Sequence, residues 1–177
     1  EYNPALLPVP VVGGNGTPPP VVDTRPVIDI SHHQGVVNWD VFGPKVQAAI
    51  IRLGNGVTED TQARRNVAEA TRRGIPFATY HYFQPTLDPA KQADFYGKLA
   101  RGSAPGRLCC VDLEEPNGLT TATADRARAY INRLGDIVDH DPMIYTSLNY
   151  WTQLGRPAWG IEYPLWIAAW TTAARPI

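Results

Sequence analysis

The segment Val111-Asp112-Leu113-Glu114-Glu115 sets two carboxylates two residues apart, directly after the apolar run Leu108-Cys109-Cys110-Val111. On a buried strand, side chains alternate, so Asp112 and Glu114 share one face while Leu113 packs on the other. Two close carboxylates can hold different pKa values and divide the work of acid and charge stabiliser. An Asp-x-Glu is also a common acidic pair at the edge of a loop, so the surrounding elements must carry the assignment. Glu115 is read as solvated or bound to the following turn, Pro116-Asn117-Gly118, and is left out of the pair.

Those elements alternate regularly. Strands are expected at Val27 to Ser31, Ala48 to Leu53, Pro76 to Phe83, Leu108 to Glu114, Met143 to Ser147 and Leu165 to Trp170. Helices are expected at Asp40 to Gln47, Thr61 to Arg73, Asn149 to Leu154, and from Asp88-Pro89 to about Arg101, with Asp88 as N-cap and Pro89 in the first turn. The clearest helix is Thr123 to Val138, where Ala127, Tyr130, Ile131, Leu134 and Val138 recur every three or four residues. Six strands alternating with helices define an α/β fold with a parallel sheet or β/α barrel, and a full eight-stranded barrel needs more chain than 177 residues here supply. Residues 1–26 carry seven prolines with Gly13, Gly14 and Gly16, and read as a linker or extended arm whose Leu6, Leu7, Val9, Val11 and Val12 lie against another surface.

In β/α folds the chemistry gathers at the carboxyl ends of the strands. Those ends carry Asp29 with Ser31, Arg52 with Asn55, Tyr80 with His81 and Tyr82, Asp112 with Glu114, Tyr145 with Ser147, and Trp166 with Trp170. Carboxylates ringed by Tyr and Trp, with few cations, suit a sugar: aromatic faces stack on pyranose C–H surfaces, and carboxylates accept hydroxyl hydrogen bonds or act on the glycosidic oxygen. Arg52 is expected to pair with a carboxylate and hold the barrel mouth, and Trp39 to anchor a helix start in the core. His32 and His33 read as loop residues. His81 lies on the face opposite Tyr80 and Tyr82, either packed and hydrogen-bonded or touching substrate.

Composition narrows the partners. The chain is 44% hydrophobic and 19% charged, which suits one globular domain, and its formal net charge of -1 argues against capture of nucleic acid or an anionic membrane. No run of about 18 apolar residues spans a bilayer, and the first residues lack the basic start and apolar stretch of a signal peptide. The chain does not begin with Met and is expected to be processed or cut from something longer. Cys109 and Cys110 are adjacent and read as free thiols filling core niches on opposite faces of their strand. Neither a zinc site nor any other cofactor is expected from them.

The run Val27-Ile28-Asp29-Ile30-Ser31-His32-His33-Gln34-Gly35, with Asn38-Trp39, resembles the opening strand and loop of the glycoside hydrolase family 25 lysozymes. The likeness continues through Ile50-Ile51-Arg52, Gly74-Ile75-Pro76 before Tyr80-His81-Tyr82-Phe83, Asp112-Leu113-Glu114, Ile144-Tyr145-Thr146 before Tyr150-Trp151, and Pro164-Leu165-Trp166-Ile167-Ala168, in the family's order from residue 27 to 170. The resemblance implies an irregular TIM-like β/α barrel over residues 27–177, incomplete at its C-terminus, since the family's pattern continues into two more strands and a further active-site Asp. It implies an N-acetylmuramidase that cuts the β-1,4 bond between N-acetylmuramic acid and N-acetylglucosamine in bacterial peptidoglycan. By match, Glu114 is the general acid and Asp112 the stabiliser that orients the substrate's 2-acetamido group. Asp29 is a supporting carboxylate, and Tyr80 and Tyr145 contact the reacting sugar. Tyr82, Trp166 and Trp170 complete the expected substrate-binding set, with no metal and no cofactor.

The expected partners are the bacterial wall and further domains of a longer polypeptide, and the expected location is extracellular or virion-associated, with a phage lysin as one parent. The competing reading is a non-catalytic wall-binding or structural module of a virion or tail protein that keeps the barrel. A third, a metal-dependent hydrolase such as a deacetylase, would gather Asp29, His32, His33, His81, Asp112 and Glu114 on zinc, but the sequence contains no His-x-His or His-x-x-x-His spacing.

Overall fold

The computed structural model describes residues 23–168; most of the N-terminal arm, residues 1–22, and Trp170 lie outside that range. In chain order the elements are β1 (Val27–Ile30), α1 (Trp39–Phe42), β2 (Ala48–Asn55), β3 (Thr58–Glu59), α2 (Ala63–Arg72), β4 (Phe77–Tyr82), α3 (Pro89–Ser103), β5 (Cys109–Leu113), α4 (Thr123–Val138), β6 (Met143–Ser147), α5 (Leu148–Gln153) and β7 (Leu165–Ala168). Strands β1, β2, β4, β5, β6 and β7 lie side by side in that order, every neighbouring pair parallel. The sheet curls into a half-barrel, with β1 and β7 as its edges among the described residues.

Strand register sorts the side chains into two faces. Ile30, Ala49, Ile51, Leu53, Phe77, Cys109, Val111, Leu113 and Ile144 face outward and join Trp39, Tyr96, Ala127, Tyr130, Ile131 and Leu134 in one apolar core under the helices. Burying this face is the main driving force for the layer arrangement, at roughly 25 cal/mol per Å² of apolar surface removed from water. The inner face carries the polar row. Tyr82 pairs with Asp112, Asp112 with Tyr145, and Tyr145 with Trp166, so four adjacent strands bring these residues into lateral contact. One step below run Arg52, Tyr80, Cys110 and Met143.

The expected helix over 40–47 is shorter. It covers Trp39–Phe42, capped by the Asn38 side chain, and gives way to a 3-10 turn at Gly43–Lys45; Pro44 has no N–H to continue the ladder. The expected N-cap at Asp88 is present, accepting from the N–H groups of Ala90 and Lys91. Strand β2 runs two residues past the expected end at Leu53, because Gly54 and Asn55 pair with Glu59 and Thr58 of β3 in an antiparallel hairpin. Gly56 makes the turn at φ +59°, a conformation that favours glycine. A bulge between Arg52 and Gly54 against β4 lets Leu53 stay in the outer core while Arg52 remains inside. On the outer side, Trp39 is 1% exposed and its Nε1–H donates to Asn66 Oδ1 at 3.1 Å, the core anchor expected of it.

Candidate active site

The acidic pair sits where β5 ends. Asp112, the fourth residue of the strand, is 6% exposed and has Oδ1 buried without a hydrogen-bond partner. Glu114 follows the last strand residue and is exposed. Burial, then the charges of Glu114 and Asp29, push the Asp112 carboxyl up to about 8, against a smaller downward pull from Arg52. Glu114 is raised as well, by burial of its carboxyl and then by Asp29. Asp29, on β1, is therefore electrostatically part of the same cluster although two strands separate β1 from β5 in the sheet. Both shifts favour retention of a proton by the Asp112–Glu114 pair.

Tyr80 and Tyr82 on β4 and Tyr145 on β6 flank the pair. All three phenols are pushed upward by burial, with the cluster's carboxylates adding to the shift, and Tyr145 reaches about 12. They remain neutral hydrogen-bond donors over the physiological range. Trp166 meets Tyr145 edge to face, centroids 5.0 Å apart, and is 41% exposed. Register settles the side on which it lies: Trp166 is in line with Tyr145 and Asp112, inside the half-barrel. An exposed indole beside a buried carboxylate is a platform for a ligand with one apolar and one polar surface.

His81 is not in the cleft. It is fully buried on the outer face, stacked between Tyr96 and Tyr130 at centroid distances of 5.1 and 5.6 Å. Its Nε2–H donates to the Gly56 carbonyl at 2.8 Å, and the Tyr130 hydroxyl donates to Nδ1 at 2.9 Å. Burial holds it down at about 4, so it stays neutral and pins the β2–β3 turn to α4. The six residues a zinc site would gather thus lie on two faces of the sheet, and among the described residues no group of three His, Cys, Asp or Glu can hold a metal ion. Burial also raises both thiols, Cys110 to about 12. Glu115 accepts from the Asn117 N–H at 2.8 Å and its Nδ2 at 2.6 Å, the loop role expected of it.

Two residues were not singled out from sequence. Tyr150, near the start of α5, is 4% exposed with its hydroxyl unpartnered, and burial together with Glu115, Asp112 and Glu114 pushes it up to about 12. It stood in the quoted Tyr150-Trp151 match without a role. Asp60, between β3 and α2, is 6% exposed and accepts from Arg52 Nε at 2.9 Å, the His32 N–H at 3.0 Å and the Gln62 N–H at 2.9 Å. This is the carboxylate that Arg52 was expected to find, and no local pattern distinguishes it from a loop aspartate.

A curled β/α sheet whose carboxyl edge presents coupled carboxylates between tyrosines and an exposed indole defines a class, the barrel glycoside hydrolases. The chain belongs to the glycosyl hydrolases family 25, whose family model matches residues 28–177. Lysozyme M1 of Streptomyces globisporus is 28% identical over 165 residues, covering 83% of this chain and 55% of the relative. The lysozyme from Streptomyces coelicolor superposes with a TM-score of 0.72 at 26% identity, covering 88% of this chain and 79% of that one. A muramidase from Acremonium alcalophilum gives the same TM-score at 23% identity, with 86% and 81% covered, and shows the shared fold. The chain spans about half the length of the curated relatives it matches.

Proposed function

We propose that this chain is the hydrolase domain of an N-acetylmuramidase, cleaving the β-1,4 bond from N-acetylmuramic acid to N-acetylglucosamine in bacterial peptidoglycan. The observation that carries the reading is the unpartnered, buried Oδ1 of Asp112 beside Glu114 in a family 25 chain. A buried acceptor without a donor is costly, on the order of 1–3 kcal/mol, and a substrate N–H that reaches it recovers that cost. The 2-acetamido N–H is such a donor. Accepting it stabilises ionised Asp112 and moves the cleft's proton to Glu114, where the leaving oxygen needs it. The acetamido carbonyl oxygen then attacks C1 as the glycosidic C–O bond breaks. Glu114, now ionised, takes a proton from the water that opens the resulting ring, and configuration is retained. Asp29 holds substrate hydroxyls and raises the acid, and Tyr80, Tyr82 and Tyr145 donate to the sugar.

The action is extracellular, at the wall. No described helix is long and apolar enough to cross a membrane. In this reading residues 27–177 are the hydrolase unit, preceded by a linker or extended arm, within a longer polypeptide with further domains; the half-length match to curated relatives supports the longer polypeptide. The test is the product. Purified peptidoglycan digested with the full-length parent and reduced with borohydride is expected to yield muramitol at the new ends. Glucosaminitol, or no new reducing ends at all, rejects the reading, the latter in favour of a wall-binding module.

Trp166 is the expected sugar platform. Trp166→Ala should raise KM for soluble glycan chains about 3- to 10-fold, the cost of one lost aromatic stack, with kcat within about twofold. A fall in kcat at constant KM would instead place the indole at the reacting centre.

A further inference from the structure

Beneath the acidic row lies a buried ion pair that the proposed chemistry does not use. Arg52 is on β2, directly beside Tyr80 of β4 and one step below Tyr82 and Asp112 on the same face. Its side chain is 7% exposed and that of Asp60 is 1% exposed, so the pair is closed to water. Asp60 accepts from three donors, Arg52 Nε, the backbone N–H of His32 and the backbone N–H of Gln62, and its Oδ2 also lies 2.9 Å from His32 Nδ1. Burial alone would raise its carboxyl, but these hydrogen bonds outweigh burial and hold it below the usual range. Arg52 Nη2 also abuts His32 Nδ1. Asp60 therefore ties together β2, the start of α2 and the loop that follows Asp29 on β1.

The charge geometry gives this clamp a consequence. The groups that act on Asp112 are Glu114, Arg52 and Asp29, and among the described residues Arg52 is the one cation of the three. The other titratable side chains around the cleft are Tyr80 and Tyr82 from β4, Cys110 below Asp112 on β5, Tyr145 from β6, Tyr150 from α5 and Glu115 after β5, none of them cationic. A buried guanidinium fixed in this position is a permanent positive potential acting on Asp112, which shares its protons with the neighbouring Glu114. Its own partner sets how much of that potential reaches Asp112.

We propose that Asp60 and Arg52 are positioning residues of the cleft: Asp60 fixes and partly neutralises Arg52, and the remaining positive charge sets the proton count of the Asp112–Glu114 pair while the same carboxylate locks the loop after Asp29. The proposal rests on the reading of that pair as the reacting acids. It makes a prediction of opposite signs. Asp60→Asn leaves Arg52 uncompensated, so both limbs of the kcat/KM–pH profile move to lower pH, by about half a unit to one unit for a unit charge at this range. Arg52→Gln removes the cation, and both limbs move to higher pH by a similar amount. Arg52→Lys keeps the charge and leaves the limbs within about 0.3 unit, though lost fork geometry lowers kcat.

The second readout needs no activity. Carbon-detected titration of the Asp112 side-chain carboxyl in the full chain should follow the same signs in the same three variants. Opposed shifts without any wall cleavage by the wild type would uphold the clamp and reject the muramidase reading. Shifts of one sign in the Asn and Gln variants, or none in folded protein, would falsify the clamp whatever the activity. If Asp60→Asn does not fold, the Gln and Lys variants of Arg52 decide the matter: equal profiles overturn the proposal, and a higher-pH profile in Gln alone supports it.

Discussion

Glu114→Gln is expected to lower reducing-end release from peptidoglycan by about 10²- to 10⁴-fold, the range a positioned general acid supplies. The amide has nearly the same size and can still donate a hydrogen bond to the glycosidic oxygen, but it has no acidic proton to transfer. The loss should therefore fall on kcat, with KM nearly unchanged. Glu114 stands just past the end of β5 and its side chain makes no hydrogen bond or ion pair with the described residues, so the substitution leaves no partner unpaired and the melting temperature should hold. Glu115→Gln is the matched control. Glu115 is held by Asn117, its side chain belongs to the loop, and its variant should keep near-wild-type rates. Equal activity in wild type and Glu114→Gln would remove Glu114 from the chemistry and leave Asp112, whose carboxyl is also raised, as the donor.

That Asp112 and Glu114 differ so much in setting was only half legible in the sequence. Parity along a strand gave a common direction for Asp112 and Glu114 and the opposite one for Cys109 and Leu113, and set His81 opposite Tyr80 and Tyr82 without saying which of them faces the cleft; register places Cys109, Leu113 and His81 on the outer face. Alternation is a property of the local backbone, so sequence carries it. What parity cannot give is depth. Asp112 is inside the strand and buried, whereas Glu114 has left it, and the raised carboxyl of Asp112 comes first from that burial, then from Glu114, with Arg52 on β2 and Asp29 on β1, both far away in sequence, pulling in opposite directions. The same limit hid Asp60. A loop aspartate becomes the partner of Arg52 only because the β2–β3 hairpin turns the chain back over the barrel mouth, and a two-residue strand such as Thr58–Glu59 has no periodicity to detect. Trp166 shows the converse. Its side of the sheet was undecidable from β7 alone and follows at once from its pairing with Tyr145.

Asp112→Asn should separate function from stability. In the folded chain Asp112 binds its proton up to about 8, against an ordinary value of 3.8. Between these values the folded state holds more protons than the unfolded one, so stability falls as pH rises through that window. Below about pH 4 both states are protonated and Asp112 costs nothing by ionising; above pH 8 the folded protein carries a buried, unpartnered anion next to Glu114 and Asp29. The accumulated cost is on the order of a few kcal/mol, shared among coupled carboxylates. Asparagine has nearly the same shape and stays neutral, so the variant should melt roughly 5–10 °C above wild type at pH 9 and within about 2 °C of it at pH 4, by scanning calorimetry. Its activity should fall by about 10²-fold or more, because a neutral amide neither accepts the acetamido N–H as strongly nor balances the charge developing at C1. A variant that melts lower than wild type at both pH values would show that the Asp112 carboxyl is paired in the folded protein and not waiting for substrate. The gain at alkaline pH, if found together with the loss of activity, identifies the buried Oδ1 as a feature kept for the ligand at a cost in stability.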